Sequence, residues 1–199
     1  MLSIQEAITF LRAGKIVVIP TETAYGLAAD ATNAHAVERL LEIKGRDLTK
    51  TPPLIAANLA MVEKQVILSD KLRELAHLFW PGPLTIVASP KEGSSLSSAV
   101  VREDGTVAIR VTSHLVARTL SEELDVPLVA TSANVAGEET CYDILHVQNQ
   151  FQTRHLQPDF YLDDGVLEKR LPSTIVAEKE GKMVILRQGE LVIPESYVA

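Results

Sequence analysis

Cysteine occurs once in the 199 residues, at Cys141, so no intrachain disulfide can form and a Cys-based zinc site lacks ligands. Nothing nearby in sequence would lower the Cys141 thiol pKa, and it reads as a small, partly buried side chain. Aromatic residues are scarce at 5%, and 19 basic residues face 26 acidic ones, for a formal net charge of -7. This argues against a general nucleic-acid coat, which wants a basic surface and stacking platforms. A small basic pocket for one anionic ligand remains compatible with it. No apolar run approaches the roughly 20 residues of a membrane helix. The N-terminus, MLSIQEAITF, lacks the basic stretch of a signal peptide, so no membrane association and a cytoplasmic location are expected. The phosphate loop G-x-x-x-x-G-K-[ST], the dinucleotide fingerprint G-x-G-x-x-G, H-E-x-x-H and G-x-S-x-G are all missing. The histidines at 35, 77, 114, 146 and 155 have no metal-ligand spacing and read as surface or satisfied core residues.

What is present is ordinary globular material, 46% hydrophobic, and no linker divides the chain, so one domain over 1–199 is expected. Ser3 and Glu6 have capping-box spacing ahead of a helix through Leu11, with Gly14 as its stop. Asn33 caps a helix running to Lys44, Ser69 caps one running to Phe79, and further helices are predicted over 113–124 and 143–151. Strands are predicted over 16–19, 54–57, 84–88, 107–110, 127–131, 160–162 and 174–177, with a hairpin into 183–186. Residues 21–26 read as a polar loop directly after the first strand. Early alternation of strands and helices, then a late hairpin, predicts an α/β fold of α+β type: a mixed, twisted, open sheet flanked by helices.

Polar clusters sit where apolar strands end, the place where open α/β sheets bind ligands. Thr21-Glu22-Thr23 follows the first strand, as a hydrogen-bonded turn or as part of a site. Glu22 fits a metal or water contact and a structural role equally. Lys44, Arg46 and Lys50 lie at a helix end, where cations either complement the helix dipole or bind a polyphosphate. Lys44 and Arg46 follow the last apolar helix residue, Ile43, and flank Gly45, so neither is expected in the core. Thr131-Ser132-Ala133-Asn134 forms a Ser/Thr or Asx turn or contacts phosphate, ribose or base. Arg110 is a rim charge or a carboxylate clamp. Pro172-Ser173-Thr174 and Arg187 complete the set. Each is weak alone.

In this order the clusters resemble the YrdC-type threonylcarbamoyl-AMP synthase family. The matching pieces are PTETAYGL at 20–27, KGR at 44–46, LIAAN at 54–58, WPGPLT at 80–85 and AIRVTSH at 108–114, then TSANVAG at 131–137, PSTIV at 172–176 and LRQGE at 186–190. The hallmark K-x-R and S-x-N pair is Lys44, Arg46, Ser132 and Asn134. The resemblance implies a YrdC-like domain with a concave basic cleft, in the short form without an extra C-terminal domain. It implies a nucleotidyltransferase that turns L-threonine, bicarbonate and ATP, with Mg²⁺, into L-threonylcarbamoyladenylate and pyrophosphate. The product would feed N6-threonylcarbamoyladenosine formation in tRNA through a separate transferase complex, with direct tRNA contact left open.

By position, the resemblance assigns Lys44, Arg46, Lys50, Ser132, Asn134, Thr140 and Arg187 to ATP, with Lys44 and Arg46 catalytic through phosphate charge. It assigns Thr23, Arg110, Thr131 and Ser173 to L-threonine, with Arg110 on the carboxylate. It identifies neither metal ligands nor a general base. The chain departs from the family pattern at Asp47, at Thr51-Pro52-Pro53, at Ala56 and Ala57 in place of a histidine, and at Thr140 in place of a serine. Two other readings use the same residues: a non-catalytic RNA-binding module, and a carbamoyl-adenylate enzyme of related fold.

Overall fold

The computed structural model describes residues 4–45 and 51–197. Ser3, Arg46 and Lys50 lie outside the described residues, and with them half of the expected capping box and two of the expected phosphate cations. In chain order the elements are α1 (Ile4–Arg12), β1 (Val17–Pro20), β2 (Tyr25–Asp30), α2 (Ala34–Lys44), β3 (Leu54–Ala56) and α3 (Leu59–Gln65). Then follow α4 (Asp70–Phe79), β4 (Leu84–Ala88), β5 (Val107–Val111), α5 (Leu115–Leu124), β6 (Leu128–Ser132) and α6 (Ile144–Phe151). The chain finishes with β7 (Phe160–Tyr161), β8 (Thr174–Lys179) and β9 (Lys182–Arg187).

The strands form one mixed sheet in the order β7-β1-β2-β6-β3-β5-β4-β8-β9. Pairs β1–β7, β3–β5 and β4–β8 are parallel, and the other neighbours are antiparallel. The α+β architecture is as expected, but β2 corrects the expected loop over 21–26. Tyr25 and Gly26 already belong to a strand that pairs with β1. Tyr25, Leu27, Ala28 and Ala29 are fully buried there. The segment Tyr-Gly-Leu-Ala-Ala-Asp has little β propensity of its own, and burial between β1 and β6 selects the extended state.

The helix caps follow local chemistry. The side chains of Asn33, Ser69 and Asp143 accept from the backbone N–H of Ala36, Leu72 and His146. Helix α5 starts after His114, which makes no side-chain cap. Helix α3, absent from the sequence reading, is capped by Asn58. Helix α2 ends at Gly45 in the left-handed region, whose N–H bonds back to the carbonyls of Glu42 and Leu41.

Alternation along the strands gives the sheet two apolar faces. On one, Val18, Leu27, Ala29, Leu54, Val129, Ile109, Ile86 and Val176 join residues of α2, α3, α4 and α6 in the larger core. On the other, Val17, Ile19, Ala28, Ile55, Leu128 and Ala130 pack under α1 and α5 through Ala7, Ile8, Leu11, Ala117 and Leu120. That second layer of helices stops at β3. Beyond it, Arg110 and Ala108 of β5, Thr85 of β4 and Ile175 of β8 share the uncovered face, as their register requires. Half of one sheet face is therefore left as the floor of a cleft. Among the described residues no helix is long and apolar enough to cross a membrane.

Candidate active site

The cleft has a volume of about 840 Å³. Its floor is the uncovered face of β5, β4 and β8, and its walls come from the β1–β2 turn, the end of β6, and the segments around Thr140, Arg170 and Ser173. Among the described residues four arginines line it (Arg102, Arg110, Arg170 and Arg187) against the two carboxylates of Glu103 and Asp104. The excess of cations makes the cleft basic although the chain is acidic.

Arg110 projects from a strand whose other face lies in the core, and it is only 5% exposed. A buried guanidinium needs a partner. Its Nε donates to Glu22 Oε1 at 2.7 Å, and Thr112 Oγ1 donates to Glu22 Oε2 at 2.6 Å. Burial pushes the Glu22 carboxyl up, but the Arg110 charge and the hydrogen bonds from Thr112 and Arg110 together hold it below the usual carboxylate range. The ion pair with Arg110 gives Glu22 a structural role, one of the two roles the sequence left open. Beside it, Thr21 Oγ1 donates to the carbonyl of Ala24 and lies 3.2 Å from Thr23 Oγ1, so the hydroxyl-rich turn is also a hydrogen-bonded one.

Lys44 corrects an expectation. It is 5% exposed and lies in the interior, because long-range partners surround its ammonium. Nζ donates to the Ser132 carbonyl at 2.6 Å, Asn134 Oδ1 at 2.9 Å, and Ser132 Oγ and the Asn134 carbonyl at 3.2 Å. Ser132 Oγ donates to Asn134 Oδ1 at 2.6 Å, and the Asn134 amide nitrogen donates to the carbonyls of Val135 and Glu138. Lys44, Ser132 and Asn134, three of the four hallmark residues, thus form one connected network. Ser132 lines the cleft, with Lys44 and Asn134 behind it.

On the opposite side, Arg187 Nη2 donates to the Ser173 carbonyl at 2.7 Å and to Ser173 Oγ at 3.2 Å. Thr85 Oγ1 lies 2.8 Å from the same Ser173 hydroxyl. Burial and the nearby Arg110 charge both push the Arg187 pKa down. Arg110 and Arg187 both line the cleft, and two like charges on one lining suit an anion.

Of the residues singled out from sequence, the cleft lining brings together Thr23, Arg110, Thr131, Ser132, Thr140, Ser173 and Arg187. It also includes Thr85, Tyr142, Arg102 and Arg170, which sequence reasoning missed. Thr85 lies within the quoted WPGPLT piece, where a lone hydroxyl in a buried strand was the available signal. Cys141 is fully buried, and burial pushes its thiol up to about 11, which suits the inert role expected. His114 departs from expectation: its buried Nδ1 has no hydrogen-bond partner among the described residues. Among those residues no group of three or more His, Cys, Asp or Glu is placed to hold a metal ion.

The family model described as "Telomere recombination" (Sua5/YciO/YrdC) matches residues 9–189. A threonylcarbamoyl-AMP synthase of Pseudoalteromonas translucida is 36% identical over 185 residues, covering 91% of this chain and 96% of that protein. A threonylcarbamoyl-AMP synthase of Pyrococcus abyssi is 35% identical over 196 residues, and this chain spans 55% of its length. The crystal structure of P. abyssi Sua5 complexed with L-threonine superposes with a TM-score of 0.85 at 33% identity, over 94% of this chain and 53% of that one. Escherichia coli YciO shares the fold, with a TM-score of 0.82 at 23% identity over 94% of this chain and 88% of its own.

Proposed function

Because the chain belongs to the Sua5/YciO/YrdC family, we propose that it is a nucleotidyltransferase making L-threonylcarbamoyladenylate and pyrophosphate from L-threonine, bicarbonate and ATP. One observation carries the reading. Arg110, buried in the cleft floor and backed by Glu22, shares the cleft lining with Arg187. A pair of fixed cations in a basic cleft suits a reaction whose reactants are all anionic or carry a carboxylate. The cleft volume of about 840 Å³ also leaves room for more than one reactant.

The reaction joins the threonine amine to bicarbonate as a carbamate, with loss of water. A carbamate oxygen then attacks the α-phosphorus of ATP, and the bond to pyrophosphate breaks. Neither step needs a covalent enzyme intermediate, so the chain contributes positioning and charge. In this reading Arg110 takes the threonine carboxylate, with Thr23, Thr131 and Ser173 around the amino acid. Arg187, Ser132 and Thr140 contact the nucleotide, with Asn134 holding Ser132 from behind. Lys44 supports that contact by holding the oxygens of Ser132 and Asn134, and Arg46 and Lys50 complete the phosphate site. Mg²⁺ would accompany the ATP phosphates, neutralising their charge, because it binds phosphates plus one or two carboxylates. Of the two acidic residues on the described cleft lining, Glu103 would be the one to hold it, since Asp104 already accepts from Thr106 and pairs with Arg102.

The product passes to a transferase complex acting on tRNA, in the cytoplasm, and residues 1–199 work as one domain. The test is mass spectrometry of a reaction with all three substrates, alongside pyrophosphate release. A threonylcarbamoyl-AMP adduct that requires both threonine and bicarbonate is expected. Equal pyrophosphate release with either omitted overturns the reading.

A further inference from the structure

We propose that Glu22 is the positioning residue of the cleft: by holding Nε of Arg110 it leaves only the two terminal nitrogens to a substrate carboxylate, which must then bind end-on. The inference rests on the function proposed above. A guanidinium can meet a carboxylate side-on, through Nε and one terminal nitrogen, or end-on, through both terminal nitrogens. Here the side-on edge is occupied, with Arg110 Nε donating to Glu22 Oε1 at 2.7 Å. Among the described residues no hydrogen bond engages the terminal nitrogens of Arg110, which lines the cleft.

Glu22 cannot easily turn away. Its second oxygen accepts from Thr112 Oγ1 at 2.6 Å, and its side chain is 8% exposed. Thr112 is itself fixed: it is fully buried, its N–H bonds to the carbonyl of Ala56, and its hydroxyl accepts from the His114 N–H. Arg110 and Thr112, two residues apart along the chain, therefore grip one carboxylate from the same side. That carboxylate belongs to the β1–β2 turn, so the bracket also sets the turn carrying Thr21 and Thr23 against β5. An end-on carboxylate fixes the direction of the amino acid's α-carbon and hence of its amine. Glu22 acts on the substrate through Arg110 and the turn, without lining the cleft itself.

The test compares L-threonine with L-threoninamide, which lacks the carboxylate, in wild type, Glu22→Ala, Glu22→Gln and Thr112→Val. Binding of each compound is measured by calorimetry, and KM for threonine and for ATP by pyrophosphate release. Wild type is expected to favour the acid, and Glu22→Ala to lower the acid-to-amide ratio on the order of tenfold with the ATP KM unchanged. Glu22→Gln is expected to restore most of the ratio, because its amide oxygen still accepts from Nε. Thr112→Val is expected to lower it in part. A merely structural role would weaken both compounds and ATP together. Should Glu22→Ala fail to fold, Glu22→Gln and Thr112→Val decide the matter. A wild-type ratio in every folded variant overturns the positioning role and leaves the proposed function standing. No threonine binding by wild type overturns the function, and this inference with it.

Discussion

Lys44 Nζ lies 2.9 Å from Asn134 Oδ1, so the last residue of α2 is tied to the turn that follows β6. The link is doubled in the backbone, where the Ala136 N–H donates to the Lys44 carbonyl at 2.9 Å. A residue that the sequence places at an exposed helix end is therefore part of the interior.

Lys44→Ala should consequently lower stability even without any ligand. It removes the donor shared by oxygens of Ser132 and Asn134 and leaves them in a buried site. A loss of about 1–3 kcal/mol is expected for removing hydrogen bonds to a charged group in a buried site. Urea unfolding of wild type, Lys44→Ala and Lys44→Met measures it; Lys44→Met keeps the packing but lacks the charge. An unchanged midpoint in both would mean that the network does not hold the turn.

Gly189→Ala should disturb the Arg187 side of the cleft. A Cβ built on Gly189 would collide with the Pro172 carbonyl oxygen and lie 2.5 Å from the Ser173 carbonyl carbon. Backbone cannot yield that much in place. The segment after β9 must therefore move away from Ser173, weakening the bond from Gly189 N–H to Thr174 Oγ1 and those from Arg187 to Ser173. Destabilisation of about 1–3 kcal/mol is expected, as for overpacking elsewhere. The melting-temperature rise conferred by ATP should also shrink, since it depends on binding to the folded state. Full retention of that rise in a folded Gly189→Ala protein would remove Arg187 from the nucleotide site.

The sheet was legible wherever a strand is a run of β-branched and aliphatic residues, as in Val17–Ile19, Leu84–Ala88 and Val107–Val111. Helix starts were legible where a side chain caps its own helix, as at Asn33 and Ser69. Strand β2 was not, because its small residues become extended only once β1 and β6 flank them. Site residues were legible as polar interruptions after apolar strands. Their pairing was not: Glu22 meets Arg110, and Lys44 meets Ser132, across 88 residues of sequence. Local pattern carries no information about such contacts, which the topology creates.

Tyr25→Phe should loosen the segment between β7 and β8. The Tyr25 hydroxyl donates to the Gly165 carbonyl at 2.8 Å and accepts from the Asp164 N–H at 2.9 Å. Burial, with Asp163 and Asp164 adding to it, pushes the phenol up to about 12, so it stays protonated and a donor near neutral pH. Removing the hydroxyl should cost about 1–2 kcal/mol. Limited proteolysis should cut between residues 163 and 171 faster than in wild type, with the rest of the digestion pattern unchanged. Equal cutting rates would show that the hydroxyl does not anchor this segment.

Arg110→Ala should destabilise the protein in a pH-dependent way. In wild type the Glu22 carboxyl is held below its ordinary range. Its contribution is therefore present above the unfolded-state pKa and is lost as pH falls through the folded-state value. In the variant, burial is no longer outweighed by the Arg110 charge, so the Glu22 pKa should rise above its unfolded value. The carboxylate then penalises folding above that unfolded value, and the penalty fades once acid protonates it. The melting-temperature gap between wild type and Arg110→Ala should therefore be widest at about pH 7 and narrow towards about pH 3.5, below the ordinary glutamate pKa of about 4.3. Adding Glu22→Gln to Arg110→Ala removes the uncompensated charge and should recover part of the neutral-pH loss. Calorimetric scans of the three variants against pH decide this. A gap that stays constant from neutral to acid would mean that Glu22 is not the buried group Arg110 neutralises.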